Sequence, residues 1–379
     1  MTVKASQTES IRLTVPPLYI PFSPSTAALA AESEKRSMEF LQRNGLLDAP
    51  DLRARAVGIH NGEFVARVCH ETTWSEPFQL MSDFTHLAFL LDDYLDGSVT
   101  TQDPPQNPLS FLRIAHALFQ VIKEPDSRSA HELGVFANAI REVGQRFDDL
   151  GNHAYTLRFV RDLREWVTAS LWQNADLATG SFPSDFDIVL ERLVGIAGHG
   201  VFTPFFAFFT PVPVAVEVLD SRPVRDLVEL MATICELHNH MLSLGKDLWM
   251  SRHYRSEENA TGLNVVAHLA HIDDLRPDEA LQRAADYANA LTGQFMRLYT
   301  RMYAEADEAT AHYLGDVAQT IRGNYDWHLL TPRYRNPDGH HPDAVIITST
   351  TLDQPPADDG PPSPAATRWW HTAPLAPAR

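Results

Sequence analysis

Residues 221–250 read SRPVRDLVELMATICELHNHMLSLGKDLWM, and their apolar side chains recur at three- and four-residue spacing, the period of an α-helix. One long helix is expected over this range. Inside it Asn239, Ser243 and Asp247 stand at i, i+4 and i+8, so an amide oxygen, a hydroxyl and a carboxylate line up along one face. Such a stripe offers a magnesium ion three hard ligands of low total charge. Taken alone it also fits the polar face of an amphipathic helix.

The same periodicity extends outward in both directions, broken by Pro, Gly and Asp, and period-two alternation is nearly absent. An all-α fold of about ten helices in one bundle-like domain is expected over residues 16–342. Ser23 before Pro24, Gly45 and Pro277-Asp278-Glu279 read as helix-end signals. Residues 1–15 are expected to be flexible. After Ile347 the chain runs TSTTLDQPPADDGPPSPAATRWWHTAPLAPAR, and this composition predicts a disordered tail over residues 343–379. Trp369 and Trp370 read there as an apolar pair in a floppy segment, with a docking element as the other reading.

Composition narrows the function. The chain has 379 residues, 44% of them hydrophobic, which is enough for a substantial core. Its net charge of −18 argues against nucleic-acid partners and against an anionic membrane surface. Only Cys69 and Cys235 are present, so neither a disulfide framework nor a thiolate metal cluster is expected, and a cytoplasmic setting follows. The N-terminus has no apolar signal region. The uncharged stretch from Leu193 to Val216 contains Pro204, Pro211 and Pro213 and reads as a buried, interrupted helix, so no membrane span is expected.

A second constellation lies upstream. FTHLAFLLDDYLDG, residues 84–97, ends an apolar helix with Asp92, Asp93 and Asp96. Asp92 and Asp96 share a face, while Asp93 points about a quarter-turn away. Like charges so placed repel one another, and at a helix C-terminus they oppose the macrodipole. A hard cation between them would relieve both effects, and a solvated acidic turn is the other reading. A bundle carrying both constellations can hold metals between two helices with a diphosphate as the bridge.

In this order the two motifs resemble the aspartate-rich motif and the NxxxSxxxE/D motif of microbial class I terpene synthases. Arg192 stands 47 residues before Asn239, where that family has its diphosphate-sensing arginine. Arg333-Tyr334 resembles its late arginine-tyrosine pair. The resemblance covers roughly residues 16–340 and implies a single helical domain, three magnesium ions (manganese as a substitute) and an isoprenyl diphosphate substrate. It implies that Asp92 bridges two metals, with Asp96 as an additional ligand, and that Asn239, Ser243 and Asp247 hold the third. Arg192, Lys246, Arg333 and Tyr334 would grip the diphosphate, and Asp93 would pair with an arginine when the site closes rather than ligate metal. The sequence departs from the pattern at Asp247, where glutamate is commoner, at His240, a frequent aspartate, and at Leu91, often aromatic.

A carbocation released in such a site needs apolar, aromatic walls. Phe84, Phe89, Phe205, Phe206, Phe208 and Trp327 are the candidates, each of which also fits ordinary core, with Phe89 and Trp327 preferred as neighbours of the motifs. The three glycines of GIAGHG, residues 195–200, suggest a helix break. There a carbonyl near Gly195 or Ile196 would help trigger ionisation, or the glycines would serve close packing. Ala88, one turn before Asp92, leaves space that a C20 chain would use, and farnesyl and geranylgeranyl diphosphate stay level as substrates. A prenyltransferase of the same fold and a non-catalytic helical binding protein are the rivals. A homodimer is compatible with all of these readings.

Overall fold

Helix Arg222–Tyr254 runs through the middle of the molecule, about 50 Å long at the standard rise. Leu227, Leu230, Met231, Ile234, Cys235, Leu237, Met241, Leu242 and Leu244 are all buried along it, on every side. A helix that is apolar all round belongs in a core, so the polar side chains of its middle turns, from Glu236 to Asp247, face the interior. The computed structural model describes residues 10–25, 28–69, 73–95, 108–196, 198–210, 212–254, 264–357 and 359–373.

In chain order the helices are α1 (Ala30–Arg43), α2 (Pro50–Ile59), α3 (Asn61–Val68), α4 (Glu76–Leu95), α5 (Pro108–Lys123), α6 (Ala137–Asp149), α7 (His153–Thr179), α8 (Phe186–Ile196), α9 (His199–Phe209), α10 (Val216–Leu219), α11 (Arg222–Tyr254), α12 (Val265–Ile272), α13 (Pro277–Glu305), α14 (Glu308–Leu330) and α15 (Thr367–Trp370). α11 packs against α13, α14, α8 and α9, while α4 packs against α1, α9 and α3. The expected helical domain is what forms. No described helix is long and apolar enough to cross a membrane.

Several ends follow the sequence signals and others do not. Gly45 takes the left-handed conformation just after α1 at φ 80°, and Pro277 opens α13 with Glu279 accepting from the Arg276 amide. The Ser23-Pro24 signal begins no helix, since α1 starts only at Ala30. The break expected near the three glycines separates α8 from α9, with Gly198 at φ 61°.

The two ends of the chain correct the sequence reading. β1 (Ile11–Thr14) pairs in parallel with β3 (Val345–Thr348), and β2 (Leu18–Tyr19) pairs with β4 (Thr351–Leu352). Residues 343–357 and 359–373 are therefore a strap laid on the bundle and not a disordered tail, and residues 11–14 are held as a strand. Val345, Ile347 and Trp369 are buried, and the Gln294 side-chain amide donates to the Trp369 carbonyl at 2.7 Å. The physical reason is that a short β-branched run is stable only against a partner. Here that partner lies at the opposite end of the chain, beyond the reach of local composition.

His86 on α4 is fully buried, with Nε2 donating to the Ala56 carbonyl at 3.0 Å. Burial holds the imidazole neutral and pushes its pKa from 6.5 down to about 4. The unfolded chain binds the extra proton across that window, so stability is full above pH 6.5 and falls as pH drops toward 4, by up to about 3 kcal/mol. His86→Gln should flatten this part of the pH profile of the denaturant midpoint. An unchanged slope between pH 4 and 6.5 would contradict the assignment.

Candidate active site

One cavity of about 1030 Å³, counting the space at its open mouth, gathers side chains from α3, α4, α7, α9, α11 and α14. From α4 come Phe84, Thr85, Ala88, Phe89 and Asp92, a single helical face. From α11 come Glu236, Asn239, His240, Ser243, Lys246 and Asp247. Asp92 thus faces the Asn239, Ser243 and Asp247 stripe across one space. Because α11 is a buried helix, the amphipathic-face reading of the stripe does not describe it.

The stripe is held together by hydrogen bonds. The Ser243 hydroxyl donates to Asp247 Oδ2 at 2.8 Å. The Asn264 amide nitrogen donates to the same Oδ2 at 2.8 Å and to the His240 carbonyl at 2.8 Å, and it lies 3.4 Å from Ser243 Oγ. Asn264 is the N-cap of α12, and its N–H groups lie where these oxygens converge. Oxygens that converge on a donor suit a hard divalent cation, and a carboxylate, an amide and a hydroxyl are the donor set magnesium accepts. Burial alone would raise the Asp247 pKa, but Lys246, Asn264 and Ser243 outweigh it and hold the carboxyl below its ordinary value. Lys246 Nζ lies 3.4 Å from Asp247 and 5.7 Å from the Tyr334 ring centre, so Lys246 and Tyr334 meet at the cavity wall.

Asp93 points the other way, as its quarter-turn offset requires. It is fully buried and receives Nη1 and Nη2 of Arg333 at 2.7 and 2.8 Å. Burial alone would raise its pKa, yet Arg333 and Arg55 hold it well below the ordinary carboxylate value. Arg333 Nη2 is 4.0 Å from Asp92, and its guanidinium sits 5.3 Å above the Phe89 ring. Both arginine and tyrosine of the late pair are therefore beside the site, with Tyr334 in the wall and Arg333 one layer behind.

The remaining candidates divide. Phe89 and Trp327 stack at 5.1 Å between ring centres and, with Phe84, line the cavity. Phe205 does not: it is buried behind Phe84, among Phe147 and Phe159, and the expectation of a pocket aromatic there is corrected to core. Arg192 is also behind the wall, bonded through Nη1 to Asp176 at 2.9 Å, with its buried Nε lacking an acceptor. Gly195 serves close packing, since a Cβ there would come within 2.8 Å of Ala169 on α7, and its carbonyl accepts from the Gly198 amide. Ile196 ends α8. Asp96 lies outside the described residues.

Several wall residues were not singled out from the sequence. Glu236, three residues before Asn239, shares its face and approaches it at 3.5 Å, while His240 Nε2 lies 3.1 Å from Glu236 Oε1. That spacing was available in the sequence. Gln173, Asn324 and His328 carried no local signal. The His328 ring is fixed by Nδ1 donating to the Asn324 carbonyl at 2.6 Å and by stacking on Tyr334.

Similarity to known proteins agrees with this geometry. The chain matches the model of terpene synthase family 2, C-terminal metal binding, over residues 83–316, more than half of its length. Phomopsene synthase of Allokutzneria albata is 26% identical over 98% of this chain and 100% of its own length. Diterpene cyclase DtcycA of a Streptomyces species is 25% identical over 95% and 96%. Among solved structures, the SVS_A2 protein from ancestral sequence reconstruction superimposes with a TM-score of 0.76 at 22% identity, covering 94% of this chain and 98% of its own. 2-Methylisoborneol synthase from Streptomyces coelicolor, in complex with Mg2+ and 2-fluoroneryl diphosphate, gives 0.69 at 16% identity, covering 82% and 94%. Asp92, the Asn239, Ser243 and Asp247 stripe and Tyr334 meet at one cavity with Arg192 and Arg333 behind its wall, and the family match contains α7, α9 and α11 whole, so the chain belongs to the metal-binding terpene synthases of family 2.

Proposed function

We propose that this terpene synthase ionises geranylgeranyl diphosphate with three magnesium ions and cyclises the resulting C20 cation. The observation that carries the reading is the facing of Asp92 and the Asn239, Ser243 and Asp247 stripe across a cavity that Phe64, Phe84, Phe89, Phe202 and Trp327 also line. Asp92 would hold two of the ions, with Asp96 as a further ligand, and the stripe would hold the third. When bound, the ions supply Lewis-acid stabilisation of the departing diphosphate. Lys246 and Tyr334 stand at the wall to donate to its oxygens, and Arg192 and Arg333 stand one layer behind as further donors. Phe89 and Trp327 present ring faces to the cation, and the buried apolar lining keeps water from it. The two cysteines are buried free thiols, which suits the cytoplasmic setting we assign.

Chain length is argued from Ala88. It lines the cavity one turn from Asp92, and the small side chain leaves room along the wall that a longer tail would fill. DtcycA is named a diterpene cyclase, in keeping with this choice; the T-muurolol synthase of Streptomyces clavuligerus, 23% identical, is named for cyclising farnesyl diphosphate. Purified protein incubated with C10, C15 and C20 diphosphates should release hydrocarbon or alcohol only with magnesium. It should favour C20 over C15 by about ten-fold in kcat/KM, and Ala88→Phe should reverse that order. No metal-dependent product from any of the three would refute the activity. A wild-type preference for C15 would refute the chain length alone.

A further inference from the structure

Arg192 on α8 is held by two side chains of α7. Its Nη1 donates to Asp176 Oδ2 at 2.9 Å, and its guanidinium lies 5.5 Å from the centre of the Trp172 ring. Trp172 and Asp176 are i and i+4, so ring and carboxylate stand side by side on one face of the helix. The Trp172 indole N–H also serves the Asp176 carboxylate. Trp172 is 39% exposed and the Arg192 side chain only 4%, so the indole meets the solvent and the guanidinium does not. Burial pushes the Asp176 carboxyl up and the Arg192 guanidinium down, and each group offsets the shift of the other.

The same arrangement occurs around Arg333. Phe89 and Asp93 are i and i+4 on α4, Asp93 accepts from both Nη atoms, and the guanidinium lies 5.3 Å from the Phe89 ring. In both places a helix offers a ring and, one turn on, a carboxylate, and an arginine from another segment lies against the two. In both places the arginine Nε is buried and has no acceptor among the described residues. A buried N–H without an acceptor is costly. A carboxylate on an Nη atom fixes a guanidinium while leaving it further N–H groups for a second anion, and a phosphate oxygen is an acceptor of that kind. Each seat adjoins the cavity: Phe89 lines it, and Asp176 stands one turn from Gln173, which lines it too. Holding the guanidinium in place before the substrate arrives reduces the ordering that binding would otherwise require.

We infer that Trp172 and Asp176 are positioning residues that seat Arg192 for the diphosphate, as Phe89 and Asp93 seat Arg333. Trp172 and Asp176 lie outside the matched motifs, and their role rests on the diphosphate-binding reading of the cavity. Asp176→Asn and Trp172→Leu should each weaken the binding of inorganic diphosphate plus magnesium, read by calorimetry, by about ten-fold, the scale of coupling within one ion-pair network. Each should lower kcat/KM with the prenyl diphosphate by a similar factor. Trp172→Phe, which keeps an aromatic face, should stay within about three-fold of wild type. Because Trp172 is partly exposed, its replacement opens no core cavity and the chain should stay folded. In an Arg192→Gln background there is no guanidinium to seat, so adding either substitution should change neither quantity further, whereas a purely structural role would lower both again. A wild-type protein that binds magnesium diphosphate, with Asp176→Asn and Trp172→Leu variants that bind it as well or better, overturns the inference alone. Equal further losses in the Arg192→Gln background overturn it too, by placing the action of the pair elsewhere. A wild-type protein that binds no magnesium diphosphate overturns the reading of the cavity with it.

Discussion

Asn239→Ala and Asp92→Ala are each expected to lower kcat by at least about 100- to 1000-fold, the cost of removing one preorganised electrostatic contact at a reacting centre, while the protein stays folded. The fold should survive for reasons specific to each site. The Asp92 side chain is 47% exposed at the end of α4, so its removal uncovers no buried group and relieves an unfavourable charge at a helix C-terminus. Asn239 sits within α11, where alanine is the better helix former, and its side-chain amide has only a long 3.5 Å approach to Glu236 to lose. Function should not survive, because each residue supplies an oxygen to a space built from two helices and a neighbour's oxygen cannot be redirected along a rigid buried helix. Steady-state kinetics beside far-UV circular dichroism and a thermal midpoint checks both halves. Turnover above about a tenth of wild type in both variants would remove these residues from the metal site and favour a helical binding protein.

How much of this was readable in advance depends on how local each signal is. The Asn239, Ser243 and Asp247 stripe was legible because i, i+4 and i+8 spacing is a property of any helix. Its location in the interior was not, because it depends on α11 being wrapped by α8, α9, α13 and α14. The opposed directions of Asp92 and Asp93 followed from the 100° step, and the structure gives them different surroundings accordingly. That Asp93 would meet Arg55 as well as Arg333 needed the docking of α2 on α4, for which no periodic pattern exists. Phe84 and Phe205 show the limit from the other side. Both sit in apolar helical runs and their rings are 6.3 Å apart, yet one lines the cavity and the other fills the core. Periodicity marks the apolar face of a helix without saying whether a neighbour or an empty space lies against it. Asn264 is the N-cap of α12, and its reach to Asp247 is a tertiary fact.

Deleting residues 344–379 is expected to cost most of the stability of the protein, the reverse of what a disordered tail would predict. Val345, Ile347 and Trp369 are buried to within 5%, and burial of a large apolar side chain contributes about 1.5–3 kcal/mol. Three of them reach roughly 5–9 kcal/mol, comparable with the 5–15 kcal/mol that a whole domain typically has. The deletion also strips β1 and β2 of their partner strands, takes from the buried Asp226 its hydrogen bond from Thr372, and leaves the Gln294 amide without its acceptor. The effect should reach the cavity. Val345 packs onto Gly245 of α11 so closely that a Cβ there would lie 2.4 Å from Val345 Cγ1, and the next two residues on that helix are Lys246 and Asp247. Without the strap, the back of the helix that carries the stripe faces water. A shorter deletion of residues 359–379 keeps both strands but removes Trp369 and the bonds to Asp226 and Gln294, so it should lose about 3–5 kcal/mol and retain turnover. Denaturant midpoints and turnover for the two truncations decide the matter: a long truncation as stable and active as the full chain would show that the strap contributes nothing, whereas graded loss, with activity failing only when β3 goes, would tie the chain's end to the metal-bearing helix.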